Sequence, residues 1–223
     1  MSDKISWYLK KYGTVENLLE NGSREEKDDF LLKRMLLEVG YDDNPLGEQH
    51  ALDAFLRVTP LMHNTFKFDD TNPYFSVFSF APFEGKTNLF FPPDYLADSF
   101  SKKFKFNSIS QFYQFHTALL FLDREVGNKI LLGDIDDFVS LPNHIRNFND
   151  SIWMKNRILI MNEGAKSLSE TNVQFREQLL NTSNMLMVYN SRLSFWGKGK
   201  SEMDRNYWGK ILTRIKCNSL NLI

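Results

Sequence analysis

The chain has 223 residues, 42% hydrophobic and 25% charged, with 20 phenylalanines: enough apolar material for one large domain with an aromatic-rich core. A net charge of -1 excludes bulk electrostatic attraction to membranes, and leaves nucleic acid open only through a local basic patch. The lone Cys217 forms no intrachain disulfide and fits a reducing cytoplasm; the first residues show no secretory run, and no stretch reaches the roughly 18 apolar residues of a membrane span.

Residues 1–70 read as an N-terminal helical extension, and residues 71–223 as the main domain. In the extension, Ser23 followed by Glu26 fits a capping box and Gly40 a helix stop. Phe30, Leu31, Met35 and Leu36 then share one face of a helix, and a shorter helix follows in "EQHALDAFLRV". Pro60 and the turn "DDTNP" punctuate the chain.

"YFSVFSFAPF", from Tyr74, alternates bulky and small residues and predicts a strand. "NLFFPPDY" predicts a second extended piece, closed by two prolines. "SKKFKF" interleaves base and aromatic and could touch nucleic acid; an edge strand with solubilising lysines explains it equally well and is the reading favoured. "SISQFYQFHTALLFL", from Ser108, predicts a buried helix. A second follows through "IWMKNRILIMNEGAKSL", with Asn149, Asp150 or Ser151 as its cap. "VQFREQLLNT" predicts a helix, "MLMVY" a strand, and Asn206 to Lys216 the last helix. Arg214 and Lys216 suit the C-terminal turn of that helix through its dipole. The fold class is helix-rich α+β with a few short strands.

Between the last strand and the last helix lies "FWGKGK", residues 195–200. Glycine permits close backbone approach, Trp196 offers a flat π face, and Lys198 and Lys200 can meet phosphates. A glycine turn with its tryptophan anchored in the core accounts for the same letters.

The surrounding order carries more. "TNLF" occupies 87–90, "SISQFYQFHTALL" starts at Ser108, Trp153 stands eight residues before Met161, and "LLNT" occupies 179–182. "LSFWGKG" occupies 193–199 and "NYWGKILTRIK" 206–216. In order and spacing this series resembles the NADAR (YbiA-like) family. The resemblance implies the family's fold and an N-glycosidase scaffold acting on ADP-ribosylated or phosphoribosylated substrates, with no cofactor or metal. Cleaving such a bond develops an oxocarbenium-like ribose, which wants a carboxylate to steady it or to activate water.

Laid on this chain, the family's helix glutamate falls on Ser110, its histidine on Gln111 and its lysine on Thr117. The loop aspartate falls on Leu193. Tyr113, Gln114, Trp153, Trp196, Gly197, Gly199, Asn206 and Gly209 match. A scaffold kept and acids lost is the pattern of a pseudoenzyme. The resemblance therefore implies a ligand site at Trp196, Gly197, Lys198, Gly199, Lys200, Asn206, Tyr113, Gln114 and Trp153, with no catalytic residue retained. Glu202 and Asp204 are the substitutes a hydrolytic alternative would recruit from the loop, and Glu84 or Asp94 from the other side.

His50, His63, His116 and His144 have no metal spacing. His116 reads as a core histidine, although it is the titratable group nearest the implied pocket. The expected function is a catalytically inactive binding or structural module, cytoplasmic or within a virion, with a phage or viral protein as one setting. It would act through a protein partner on the N-terminal extension, with the pocket either holding a ribosyl nucleotide uncleaved or filled by side chains; the alternative is an active N-glycosidase.

Overall fold

The computed structural model describes residues 7–8, 10–23, 26, 64–85, 89, 104–182, 185–193, 195–198 and 205–219. In chain order the elements are α1 (Val15–Asn21), β1 (Asn64–Phe68), β2 (Phe83–Gly85), β3 (Phe104–Phe106), α2 (Ile109–Leu120), α3 (Arg124–Leu132), α4 (Asp150–Thr171), α5 (Val173–Asn181), β4 (Met185–Tyr189) and α6 (Tyr207–Ser219). The fold is helix-rich α+β. Among the described residues no helix is long and apolar enough to cross a membrane.

The helices start where side chains satisfy the first orphan N–H groups. Thr14 caps α1, Ser108 caps α2 by accepting from Gln111 N, Asn149 caps α4 and Asn172 caps α5. The Ser23–Glu26 capping box is formed in both directions, by Ser23 N to Glu26 Oε2 (3.0 Å) and Glu26 N to Ser23 Oγ (3.2 Å). The helix faces expected beyond it, and Gly40, Pro60 and "EQHALDAFLRV", lie outside the described residues.

Two small sheets frame the helices. β1 and β4 pair in parallel, Phe66 opposite Met187, and β2 and β3 pair antiparallel, Phe83 opposite Phe106. Residues 104–106 of "SKKFKF" form β3, with Lys105 facing solvent.

The strand expected from Tyr74 is not there: residues 73–79 form successive turns. Asn72 Oδ1 accepts from Tyr74 N and Phe75 N, and Ser76 Oγ accepts from Phe78 N. Side chains thus take the backbone donors a strand would have offered to a neighbour. Only Phe83–Gly85, at the end of that stretch, is extended.

α2 is buried along nearly its whole length. Its Phe112 ring packs against Phe106 (4.9 Å between centroids) and Phe83 (5.7 Å). α4 crosses it at Gly164, where a Cβ would stand 2.6 Å from Phe112 and 2.7 Å from Ile109. His116, fully buried, lies among Phe112, Phe115 and Phe106, a core position as expected.

α3 is capped by Asp123, whose side chain is fully buried and accepts from Val126 N, Arg146 N, Arg146 Nε and Arg146 Nη2. Burial pushes this carboxyl up, but the hydrogen bonds from Arg146 and Val126 outweigh it and hold the group below its ordinary value. The stability it confers is therefore complete above about pH 4 and is lost as pH falls through the depressed folded value. Asp123→Ala is expected to cost about 2 kcal/mol at neutral pH in urea unfolding. The deficit should shrink on acidification; a deficit unchanged at pH 3 would contradict this assignment.

Candidate functional site

The loops after α3 and β4 and the faces of α2 and α4 enclose a cleft of about 290 Å³. Tyr113 and Thr117, one turn apart on α2, form one wall. Phe138, Val139, Leu141 and Pro142 form the second, Trp153 of α4 the third, and Arg192, Leu193, Phe195 and Trp196 the fourth. A larger hollow of about 370 Å³ lies between Lys67 and Asn190. Its Asp69 and Asn72 are occupied by the turn they stabilise, so its polar groups do not converge on free space.

The loop holding Trp196 is a brace. Trp196 is 4% exposed, edge-on to Tyr113 (5.4 Å) and Phe195 (4.9 Å). Its carbonyl accepts from Trp208 N, and Lys198 N donates to Tyr189 O. Gly197 N donates to Leu193 O, and a Cβ on Gly197 would stand 2.7 Å from Ser191 O, so only glycine allows the turn to close this tightly. Asn206 is buried behind the loop: it donates to Met187 O, accepts from Tyr189 N, and its N–H donates to Gly197 O. Asn206 thus locks the loop to β4 and does not line the cleft.

The other expected site residues divide. Tyr113, Trp153 and Trp196 meet in the cleft. Lys198 bridges to Arg205 and is outside the lining. Gln114 is buried, donating to Ser110 Oγ (2.9 Å) and Asp136 Oδ1 (3.2 Å) and accepting from Asp137 N (3.1 Å). Gly199, Lys200, Glu202, Asp204 and Asp94 lie outside the described residues; Glu84 is exposed on β2.

Arg157 is the residue that spacing alone did not flag. It sits one turn after Trp153 on α4, with its guanidinium carbon 3.2 Å from the Phe195 ring centroid and 4.9 Å from that of Trp153. Its Nε is buried without a hydrogen-bond partner, and so is the Tyr113 hydroxyl. Burial pushes the Arg157 guanidinium below its ordinary value, an effect Tyr113 and Tyr207 oppose and Arg205 reinforces. Burial likewise pushes the Tyr113 phenol well up, against the pull of Arg157, so Tyr113 is a neutral donor at physiological pH.

The NADAR domain model matches residues 65–218. The chain belongs to the NADAR family. No curated protein matches it. Within this NADAR domain, the two uncharged replacements at the implied lysine and aspartate positions, Thr117 and Leu193, stand in the cleft wall. Thr117 Oγ1 donates to the Tyr113 carbonyl (2.8 Å), a bond internal to α2. Ser110, at the implied glutamate position, is 1% exposed and hydrogen-bonded to Gln114.

Proposed function

We propose that this NADAR domain binds a ribosyl nucleotide and does not cleave it. One observation carries the proposal: Leu193 lines the cleft at the position where the family resemblance implies an aspartate. A leucine side chain cannot steady a ribose cation or take a proton from water. The described wall is otherwise aromatic and aliphatic apart from Thr117, the Tyr113 hydroxyl and Arg192. Such a wall stacks on a base and contacts a sugar. The volume lies at the lower end of the roughly 300–1,000 Å³ range of small-molecule sites.

A hydrolytic reading has one observation in its favour. Asp136 reaches the Ser110 position through Gln114, so a carboxylate stands one side chain away from where the family's glutamate is implied. Incubation with ADP-ribosylated guanosine DNA and with ribosylaminopyrimidine phosphates separates the two. Binding without released ADP-ribose or ribose phosphate is the expected result. Release abolished by Asp136→Asn, Glu202→Ala or Asp204→Ala would establish hydrolysis.

Trp153 is half-buried and packs on Phe148 and Arg157, so thermal melting must accompany its truncation as a check on the fold. Trp153→Ala is expected to weaken ADP-ribose binding roughly tenfold or more, as loss of one stacking face does. An unchanged dissociation constant in calorimetry would place the base elsewhere.

A further inference from the structure

We propose that the end of the domain around the first two turns of α2 is a docking surface for a basic amphipathic helix of a partner protein. The proposal is independent of what the cleft holds.

Among the described residues seven large apolar side chains are exposed, and four of them, Phe78, Phe80, Leu132 and Val139, belong to segments fastened to this end of α2. Ser110 N donates to Val77 O and Ala81 N donates to Asn107 O, which fixes the turns carrying Phe78 and Phe80. Gln111 Nε2 donates to Ile130 O and Leu131 O, which fixes the end of α3 at Leu132. Gln114 donates to Asp136 Oδ1 and accepts from Asp137 N, two residues before Val139. The Phe78 ring meets Phe138 edge-on at 5.6 Å and so joins the first of these segments to the last. Phe80 is 76% exposed, Leu132 77% and Val139 74%, so little of their apolar surface is used by the fold itself. Scattered exposed apolar side chains are ordinary, but several gathered at one end of a molecule mark an interface. Their backbone is already fastened, which lowers the ordering cost of binding.

Charge selects the partner. Neither residues 69–85 nor residues 130–143 contain a lysine or arginine. The loop after α3 carries Asp134, Asp136 and Asp137, and Glu84 is exposed on β2. Asp137 is paired with His144 (3.6 Å), so Asp134 and Asp136, both exposed, are the carboxylates offered outward. This fringe repels nucleic-acid phosphates and anionic lipid headgroups. A two-fold dimer through the same patch would set the two aspartate loops against each other. A helix with aliphatic anchors on one face and lysine or arginine beside them matches both the apolar centre and the acidic fringe.

Fluorescence anisotropy of the full chain with three helical peptides of about 18 residues tests this. The peptides share one leucine face and differ only in the polar face, which is lysine, glutamine or glutamate. The lysine peptide is expected to bind roughly tenfold more tightly than the glutamine peptide and to weaken as salt rises; the glutamate peptide is expected not to bind. Phe80→Ser and Leu132→Ser should each weaken the lysine peptide about tenfold. Asp134→Asn should remove part of the preference for lysine over glutamine. Met154→Ser and Val173→Ser, exposed apolar positions on α4 and α5, should leave affinity within about twofold. Thermal melting of each variant checks the fold, which truncation at such exposed positions should spare.

Equal binding of the lysine and glutamate peptides overturns the proposal, and so does failure of all three. Phe80→Ser and Leu132→Ser proteins that bind as wild type does overturn it as well. Duplex DNA or phosphatidylserine vesicles that bind through Phe80 in place of the lysine peptide would assign the face to nucleic acid or membrane instead. A dimer in sedimentation that Phe80→Ser splits would assign it to a second copy of the chain.

Discussion

Gly209→Ala is expected to destabilise the domain by about 3–5 kcal/mol, placing it among the most damaging single substitutions available. A Cβ at this position would stand 2.2 Å from the Met187 carbonyl oxygen and 2.6 Å from both amide atoms of the Asn206 side chain. The first of these is backbone of β4, tied in register to β1 and held on its other edge by Asn206 and Thr213. It cannot retreat without breaking that pairing. The sign is informative. Position 209 is in the first turn of α6, where helix propensity alone favours alanine over glycine by about 1 kcal/mol. Urea unfolding at neutral pH therefore separates the two accounts. A marked loss of midpoint supports close contact between helix and strand, and an equal or higher midpoint refutes it.

Asn206→Ala is expected to cost about 3 kcal/mol. The side chain completes the free edge of β4 as a neighbouring strand would: Oδ1 accepts from Tyr189 N and Nδ2 donates to Met187 O, both at 2.9 Å. Removing it leaves a buried donor and a buried acceptor without partners. Asparagine is also suited to the residue's left-handed backbone, φ +45°, where alanine is strained. Asn206→Asp should be nearly as harmful, because a carboxylate oxygen would then face the Met187 carbonyl oxygen. Asn206→Gly should relieve the strain but not restore the bonds. Because the alanine clash at 209 falls partly on the Asn206 amide, Asn206→Gly combined with Gly209→Ala should cost less than the two changes summed. Strict additivity would contradict the shared contact.

The helices were legible where caps and periodicity agree. Ser108, Asn149 and Asn172 each stand one residue before a helix, and α2, α4, α5, β4 and α6 lie where the sequence predicts them. α3 was passed over, although Asp123 as its N-cap and Gly133 at φ +83° as its terminator mark both ends. The stretch from Tyr74 misled because period-2 alternation of size mimics a strand, while short polar side chains competed for its backbone donors. β1 carries no strong pattern of its own; pairing with β4 makes it a strand.

At the site, the letters gave Tyr113, Trp153, Trp196 and the replacements at Thr117 and Leu193, and the fold brings these five to one cleft. Sequence could not tell whether the turn at 195–198 faces a cleft or braces β4. The distinction depends on the Asn206 bonds to β4, which are long-range. Arg157 escaped notice because an arginine in the middle of a helix ordinarily reads as a solvated charge. Its spacing of four from Trp153 was the available signal, and its meaning depended on Phe195, contributed from 38 positions further along the chain.

On the proposed function the cleft holds a ribosyl ligand and, among the described residues that line it, presents no carboxylate to break the N-glycosidic bond. The most direct test is a single-turnover incubation of excess protein with ADP-ribosylated guanosine DNA, with bound and released ADP-ribose measured from the same sample. Retained, intact substrate with no ADP-ribose set free is the predicted result. Stoichiometric release that vanishes when Asp136, Glu202 or Asp204 is neutralised would contradict it.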